Sequence, residues 1–133
     1  MKIMLAITLG STAMILATTS VAGPREDLLA QYAAAAKSTG FSAARGQTLH
    51  TQNFTGGKPD TPACTSCHGK DTRGTGRSLA GKNIEAVAVS VTPARYTDPA
   101  KVEKWFKRNC NEVLGRECTP QEKGDWLTYV IAQ

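Results

Sequence analysis

The sequence has no methionine after residue 14 and only two histidines, His50 and His68, in 133 residues. A metal or redox site in the rest of the chain therefore has no thioether ligand and at most two imidazole ligands. Long apolar runs are also scarce. The one extended apolar stretch, residues 3–17, is shorter than the roughly 20 residues that a membrane-spanning helix needs.

The first 22 residues have the three parts of a secretory signal peptide. Lys2 gives the N-terminal region its positive charge, residues 3–17 form the apolar region, and Ser20-Val21-Ala22 is a small-residue cleavage site. Cleavage after Ala22 would leave residues 23–133, the length of a single domain. We therefore expect an exported, periplasmic protein, in a compartment where disulfides persist.

The chain is basic, with 16 Lys and Arg against 11 Asp and Glu. Nucleic acid is an improbable partner for an exported protein. The excess charge fits either a solvated surface or a docking face for an acidic redox partner.

Cys64, Cys67 and His68 form the sequence C-T-S-C-H. This spacing is typical of c-type haem attachment, in which two cysteines form thioethers and the following imidazole binds the iron. A redox C-x-x-C pair, half of a zinc site or two structural cysteines are the alternatives. Zinc would need two further ligands, and Cys110 with Cys118 does not repeat the C-x-x-C spacing.

The remaining pattern predicts short helices around one long irregular stretch. Helices are expected from Pro24 until Gly40, from Ser42 to about Thr51, after Asp98-Pro99, and after the capping box Thr119-Pro120-Gln121-Glu122. Residues 55–62 should form a loop, and residues 69–96 show no sustained helical period. Gly46 and Gly124 would permit two helices to cross closely.

Asn109 shares the predicted apolar face of the third of these helices with Val102, Trp105 and Phe106. An amide buried there must find a polar partner, and a haem iron would be one. A backbone carbonyl or a haem propionate would also satisfy it, and His50, a lysine or water are rival iron ligands. In an oxidising compartment the two remaining thiols, Cys110 and Cys118, are expected to form a disulfide.

Several segments together resemble the sphaeroides haem protein family, which are oxygen-binding class I cytochromes c with an asparagine as sixth iron ligand. The segments are T-G-G-K-P-D-T-P at 55–62, C-T-S-C-H-G at 64–69, R-Y-T-D at 95–98, V-E-K-W at 102–105, R-N-C-N at 108–111 and G-R-E-C-T-P at 115–120. The resemblance covers nearly all of residues 23–133.

The resemblance implies an all-α, class I cytochrome c fold of short helices around one covalent haem c. It implies that Cys64 and Cys67 attach the haem, that His68 and Asn109 bind iron from opposite sides, and that Cys110 and Cys118 form the disulfide. The chain departs from the family at His50, where the family has phenylalanine, and at residues 86–90, which replace a proline-containing stretch.

These residues predict a periplasmic electron-transfer protein, not an enzyme, that binds oxygen, nitric oxide or carbon monoxide on ferrous haem. The resemblance implies a diheme cytochrome c or a membrane cytochrome b as electron donor. Two alternatives remain: a plain electron carrier whose iron is held by His68 and His50, and a small oxygen or peroxide reductase.

Overall fold

The computed structural model describes residues 22–133. The predicted signal peptide therefore lies outside the described residues, apart from Ala22. The described part contains five helices and two short strands: α1 (Pro24–Ala36), α2 (Ala43–Thr51), α3 (Thr65–His68), β1 (Gly76–Arg77), β2 (Asn83–Ile84), α4 (Pro99–Leu114) and α5 (Pro120–Ile131). Within residues 22–133 no helix has the length and apolar character needed to cross a membrane.

Helix α1 begins at Pro24, which suits the first turn because its missing N–H would be unpaired there anyway. Leu28 and Tyr32 are its buried residues. The helix ends at Ala36, four residues before the predicted stop at Gly40, because Lys37 adopts a left-handed conformation with φ 51°. The backbone N–H of Ser38 then donates to the Ala33 carbonyl at 3.0 Å and closes the last turn.

Helices α2 and α5 cross at close range, as the two glycines predict. A Cβ on Gly46 would lie 2.6 Å from the Asp125 carbonyl carbon and 2.7 Å from the Tyr129 Cβ, so only glycine fits. Gly124 serves a different contact, because the ring of Phe41, which precedes α2, occupies the space beside it. The Asp125 carboxylate reinforces the crossing by accepting hydrogen bonds from Ser42 N and Arg45 Nε, each at 2.7 Å.

Helices α4 and α5 start at the predicted caps. The Asp98 side chain accepts from Lys101 N at 3.1 Å, and Thr119 and Glu122 form a complete capping box. The buried side of α4 contains Val102, Phe106, Cys110, Val113 and Leu114. Trp105 departs from the predicted apolar face, since it is 44% exposed.

The stretch between α3 and α4 is irregular, as expected, apart from the antiparallel pairing of β1 with β2. Residues 86–88 are buried in the core. Arg95 Nε donates to the Ala86 carbonyl at 2.7 Å, and the Tyr96 hydroxyl donates to the Val87 carbonyl at 2.8 Å. These two side chains therefore hold residues 86 and 87 in place.

Apart from the short β1–β2 pair, the described residues form the all-α fold that the resemblance predicts. The core joins apolar side chains of α1, α4 and α5 with Val87 and Cys118. The short helix α3 lies outside this core, next to the end of α2, and brings the C-T-S-C-H motif to the edge of the helical bundle.

Candidate functional site

Cys64, Cys67 and His68 lie on one helical turn. Cys64 precedes α3, and the His68 N–H donates to the Cys64 carbonyl at 3.0 Å. Both cysteines are partly buried and neither forms a disulfide. Burial raises the pKa of the Cys64 thiol to about 11 and also raises the pKa of the Cys67 thiol.

Asn109 faces the same cavity as this turn. The cavity is small and is lined by Thr61, Ala63, Cys64, Cys67, His68, Asn109, Glu112 and Val113. Helix α4 contributes the last three residues, and the haem-motif segment contributes the others. The predicted attachment and ligand residues, which are separated by more than 40 positions in the sequence, thus border one space.

His68 is suited to bind a metal. Burial lowers the pKa of its imidazole to about 4, with further lowering from the nearby His50 and Arg95. The ring is therefore neutral at pH 7, which is the form that ligates iron. Its Nδ1 is buried and has no hydrogen-bond partner within residues 22–133.

His50, the alternative iron ligand, is fully buried, and both of its ring nitrogens are engaged. The Trp126 indole N–H donates to Nδ1 at 3.3 Å, and Nε2 lies 3.0 Å from the Gly69 carbonyl oxygen. The rings of His50 and His68 are neighbours, with centroids 6.4 Å apart. Neither nitrogen of His50 has a free lone pair for iron in this arrangement.

The contacts of His50 were not predicted from the sequence. The available signal was its position at the last turn of α2, four residues after Gly46. Gly46 lies where α2 and α5 approach most closely. Because residues four apart share one face of a helix, His50 also faces α5.

A zinc site finds no support in the described part of the chain. No three His, Cys, Asp or Glu side chains of residues 22–133 gather closely enough to hold a bare ion. Cys110 and Cys118 form the predicted disulfide, with their Cα atoms 5.5 Å apart, and so are not available as thiolate ligands. This bond joins α4, directly after Asn109, to the start of the segment that leads into α5.

The surroundings of the cavity fit a flat apolar group such as a porphyrin. Leu79, whose backbone lies beside the Cys67 thiol, is 61% exposed. Trp105, one turn before Asn109, is 44% exposed, with the Arg108 guanidinium 5.3 Å above its ring centre. An open apolar side chain next to the Cys67 position, together with a neutral imidazole at His68, suits a covalently attached haem.

Known proteins with similar sequences agree with this geometry. Residues 36–130 match a family described as a domain of unknown function, DUF1924. The chain is 50% identical to "Cytochrome c-type protein SHP" of Cereibacter sphaeroides over 121 residues, which is 90% of this chain and 93% of that protein. The chain belongs to the sphaeroides haem protein family. Like the cytochromes c of this family, it carries one covalently bound haem c.

Solved structures give the same result for the fold. Oxidised SHP, described as an oxygen-binding cytochrome c, aligns with a TM-score of 0.79 and 51% identity over 82% of this chain and 96% of that one. Oxidised cytochrome c'' of Methylophilus methylotrophus aligns with a TM-score of 0.70 and 30% identity over 83% of this chain and 94% of that one. A solution structure of cytochrome c'' is described as giving insight into haem-ligand detachment.

Proposed function

We propose that this protein is an exported, periplasmic monohaem cytochrome c that binds small diatomic gases when reduced. Cys64 and Cys67 would attach the haem, His68 would bind its iron permanently, and Asn109 would be a second, labile iron ligand. The observation that carries the proposal is the single cavity bordered by all four residues. The similar protein described as oxygen-binding supports the choice of ligand class.

The proposed gating follows from the chemistry of Asn109. When bound, the haem supplies a redox-active iron whose ferrous state can accept oxygen, nitric oxide or carbon monoxide. The Asn109 amide oxygen is a neutral, hard and weak donor, which suits ferric iron better than ferrous iron. Reduction should therefore release the Asn109 side chain, whose amide N–H can then donate a hydrogen bond to an entering gas molecule or swing aside.

A plain electron carrier with His50 as the second axial ligand is the main alternative. It requires His50 to break its contacts with Trp126 and Gly69 and to leave a fully buried position. The second alternative is a small oxygen or peroxide reductase. It would need a proton donor beside the site, and the acidic residue lining the cavity, Glu112, is paired with Lys58 Nζ at 3.3 Å.

The partners follow from the same proposal. Oxygen, nitric oxide or carbon monoxide would be the ligand, and a diheme cytochrome c or a membrane cytochrome b would be the electron donor. Because Lys58, Arg108 and the other cations outnumber the acidic side chains, we propose a donor with an acidic docking face.

Two substitutions of Asn109 test the proposed ligand. In Asn109→Ala we expect the ferric spectrum to change from low-spin to high-spin, because the amide is lost. In the matched variant Asn109→His, the stronger imidazole ligand should remain bound after reduction and block carbon monoxide. A ferric spectrum unchanged in Asn109→Ala would contradict the proposal.

A further inference from the structure

His50 connects three parts of the molecule that surround the haem motif. It belongs to the last turn of α2, and none of its surface is exposed. Its ring lies 5.8 Å from that of Tyr129 and 6.3 Å from that of Trp126, both on α5. Its Nε2 reaches the carbonyl of Gly69, the residue directly after His68.

The two hydrogen bonds of His50 define its tautomer. The Trp126 indole N–H can only donate, so the Nδ1 it contacts must carry a lone pair. The Gly69 carbonyl can only accept, so Nε2 must carry the hydrogen. A neutral imidazole with hydrogen on Nε2 satisfies both partners at once, whereas a phenylalanine at this position would satisfy neither.

His68 lacks the contact that usually orients a metal-binding histidine. Such residues normally donate their second ring N–H to a carbonyl, a carboxylate or water. Nδ1 of His68 is buried and finds no carbonyl or carboxylate acceptor within residues 22–133. The orientation of this ring therefore depends on its backbone and its packing.

The backbone around His68 is held from two sides. On one side lies β1, where a Cβ on Gly76 would stand 3.0 Å from the His68 Cα and would also collide with the Cys67 carbonyl oxygen. On the other side, the His50 Nε2 holds the Gly69 carbonyl at 3.0 Å. The Gly69 N–H is held by the Thr65 carbonyl at 3.0 Å, so His50 holds the next peptide, beyond a glycine whose φ of 72° lies in the left-handed region.

We propose that His50 is a positioning residue for His68: through its hydrogen bonds to Trp126 and the Gly69 carbonyl it fixes the Gly69–Lys70 peptide at the end of α3 and so sets the orientation of the proximal imidazole. The inference rests on the proposed axial role of His68. It assigns to His50 a role in tuning the iron without binding it.

The test compares His50→Phe, which removes both hydrogen bonds, with His50→Gln, which retains one acceptor and one donor. The haem-loaded protein is measured by redox titration and, in the ferrous state, by the resonance Raman band of the iron–histidine stretch. We expect His50→Phe to keep the native ferric spin state but to shift the midpoint potential and to shift or broaden the Raman band. His50→Gln should return both towards the native values.

An unchanged midpoint potential in His50→Phe, or equal shifts in both variants, would overturn the inference. If His50→Phe does not fold, Trp126→Phe decides the question, because it removes only the donor that fixes the tautomer and should give a smaller shift of the same sign. No shift in that variant would also count against the inference. A native ferrous protein that is low-spin and does not bind carbon monoxide would refute the proposed function instead. The midpoint potentials of the native protein and the His50 variants would still decide the role of His50.

Discussion

Gly46→Ala is expected to destabilise the protein and to disturb the haem environment, because Gly46 lies where α2 crosses α5. The added Cβ would stand 2.6 Å from the Asp125 carbonyl carbon and 2.7 Å from the Tyr129 Cβ. The α5 backbone cannot rotate away as a flexible side chain would, so one helix must move. His50 lies one turn further along α2 and would move with it.

The expected loss is about 3 kcal/mol of unfolding free energy, at the upper end for overpacking, because backbone atoms must shift. For a domain of this size that corresponds to a decrease in Tm of roughly 12 °C or more. Guanidinium denaturation of the haem-loaded protein, followed by circular dichroism, measures the loss of unfolding free energy. The haem absorption spectrum before denaturation measures the disturbance of the haem environment.

Gly40→Ala is the matched control, since a Cβ at Gly40 would meet nothing within 4 Å. It should leave the unfolding free energy within about 0.5 kcal/mol of the native value. The reasoning would be refuted if Gly46→Ala were as stable as Gly40→Ala, or if its stability fell without any change in the haem spectrum.

Two further predictions concern stability. Replacing Cys110 and Cys118 together by alanine should cost about 2–3 kcal/mol, because the bond closes a short loop in the unfolded chain; denaturation without reductant measures this, and an unchanged midpoint would contradict it. The pKa of Glu122 is lowered from 4.5, chiefly by its hydrogen bond from Arg116, so its contribution exists above that pH and disappears as the pH falls through the lower folded value. Glu122→Gln should therefore cost up to about 1 kcal/mol at pH 7, with the difference from native shrinking in acid and not growing.

The fold could be predicted wherever local chemistry decides it. Proline and the caps at Asp98 and Thr119 define where α4 and α5 start, because they satisfy the free N–H groups of a first turn. The predicted end of α1 was wrong by four residues. Lys37 adopts a left-handed conformation there, which a lysine in the sequence does not indicate. Strands β1 and β2 depend on pairing with each other, which no local pattern indicates.

The candidate site also has features that a local sequence pattern predicts and features that depend on the folded structure. The C-T-S-C-H spacing is local and identifies the cofactor, and the family resemblance supplies Asn109. The environment of His50 depends on three segments that meet only after folding: the end of α2, the turn after His68, and Trp126 on α5. Trp105 shows the opposite case, since its helical spacing predicts a buried residue but its side chain is 44% exposed.

The measurement that tests the central claim most directly is the visible absorption spectrum of the haem-loaded protein, ferric and then reduced with dithionite, before and after carbon monoxide. The account predicts a low-spin ferric form that becomes high-spin on reduction, as Asn109 leaves, and that then binds carbon monoxide. A ferrous form that stays low-spin and does not respond to carbon monoxide would contradict it and would point to a strong second axial ligand.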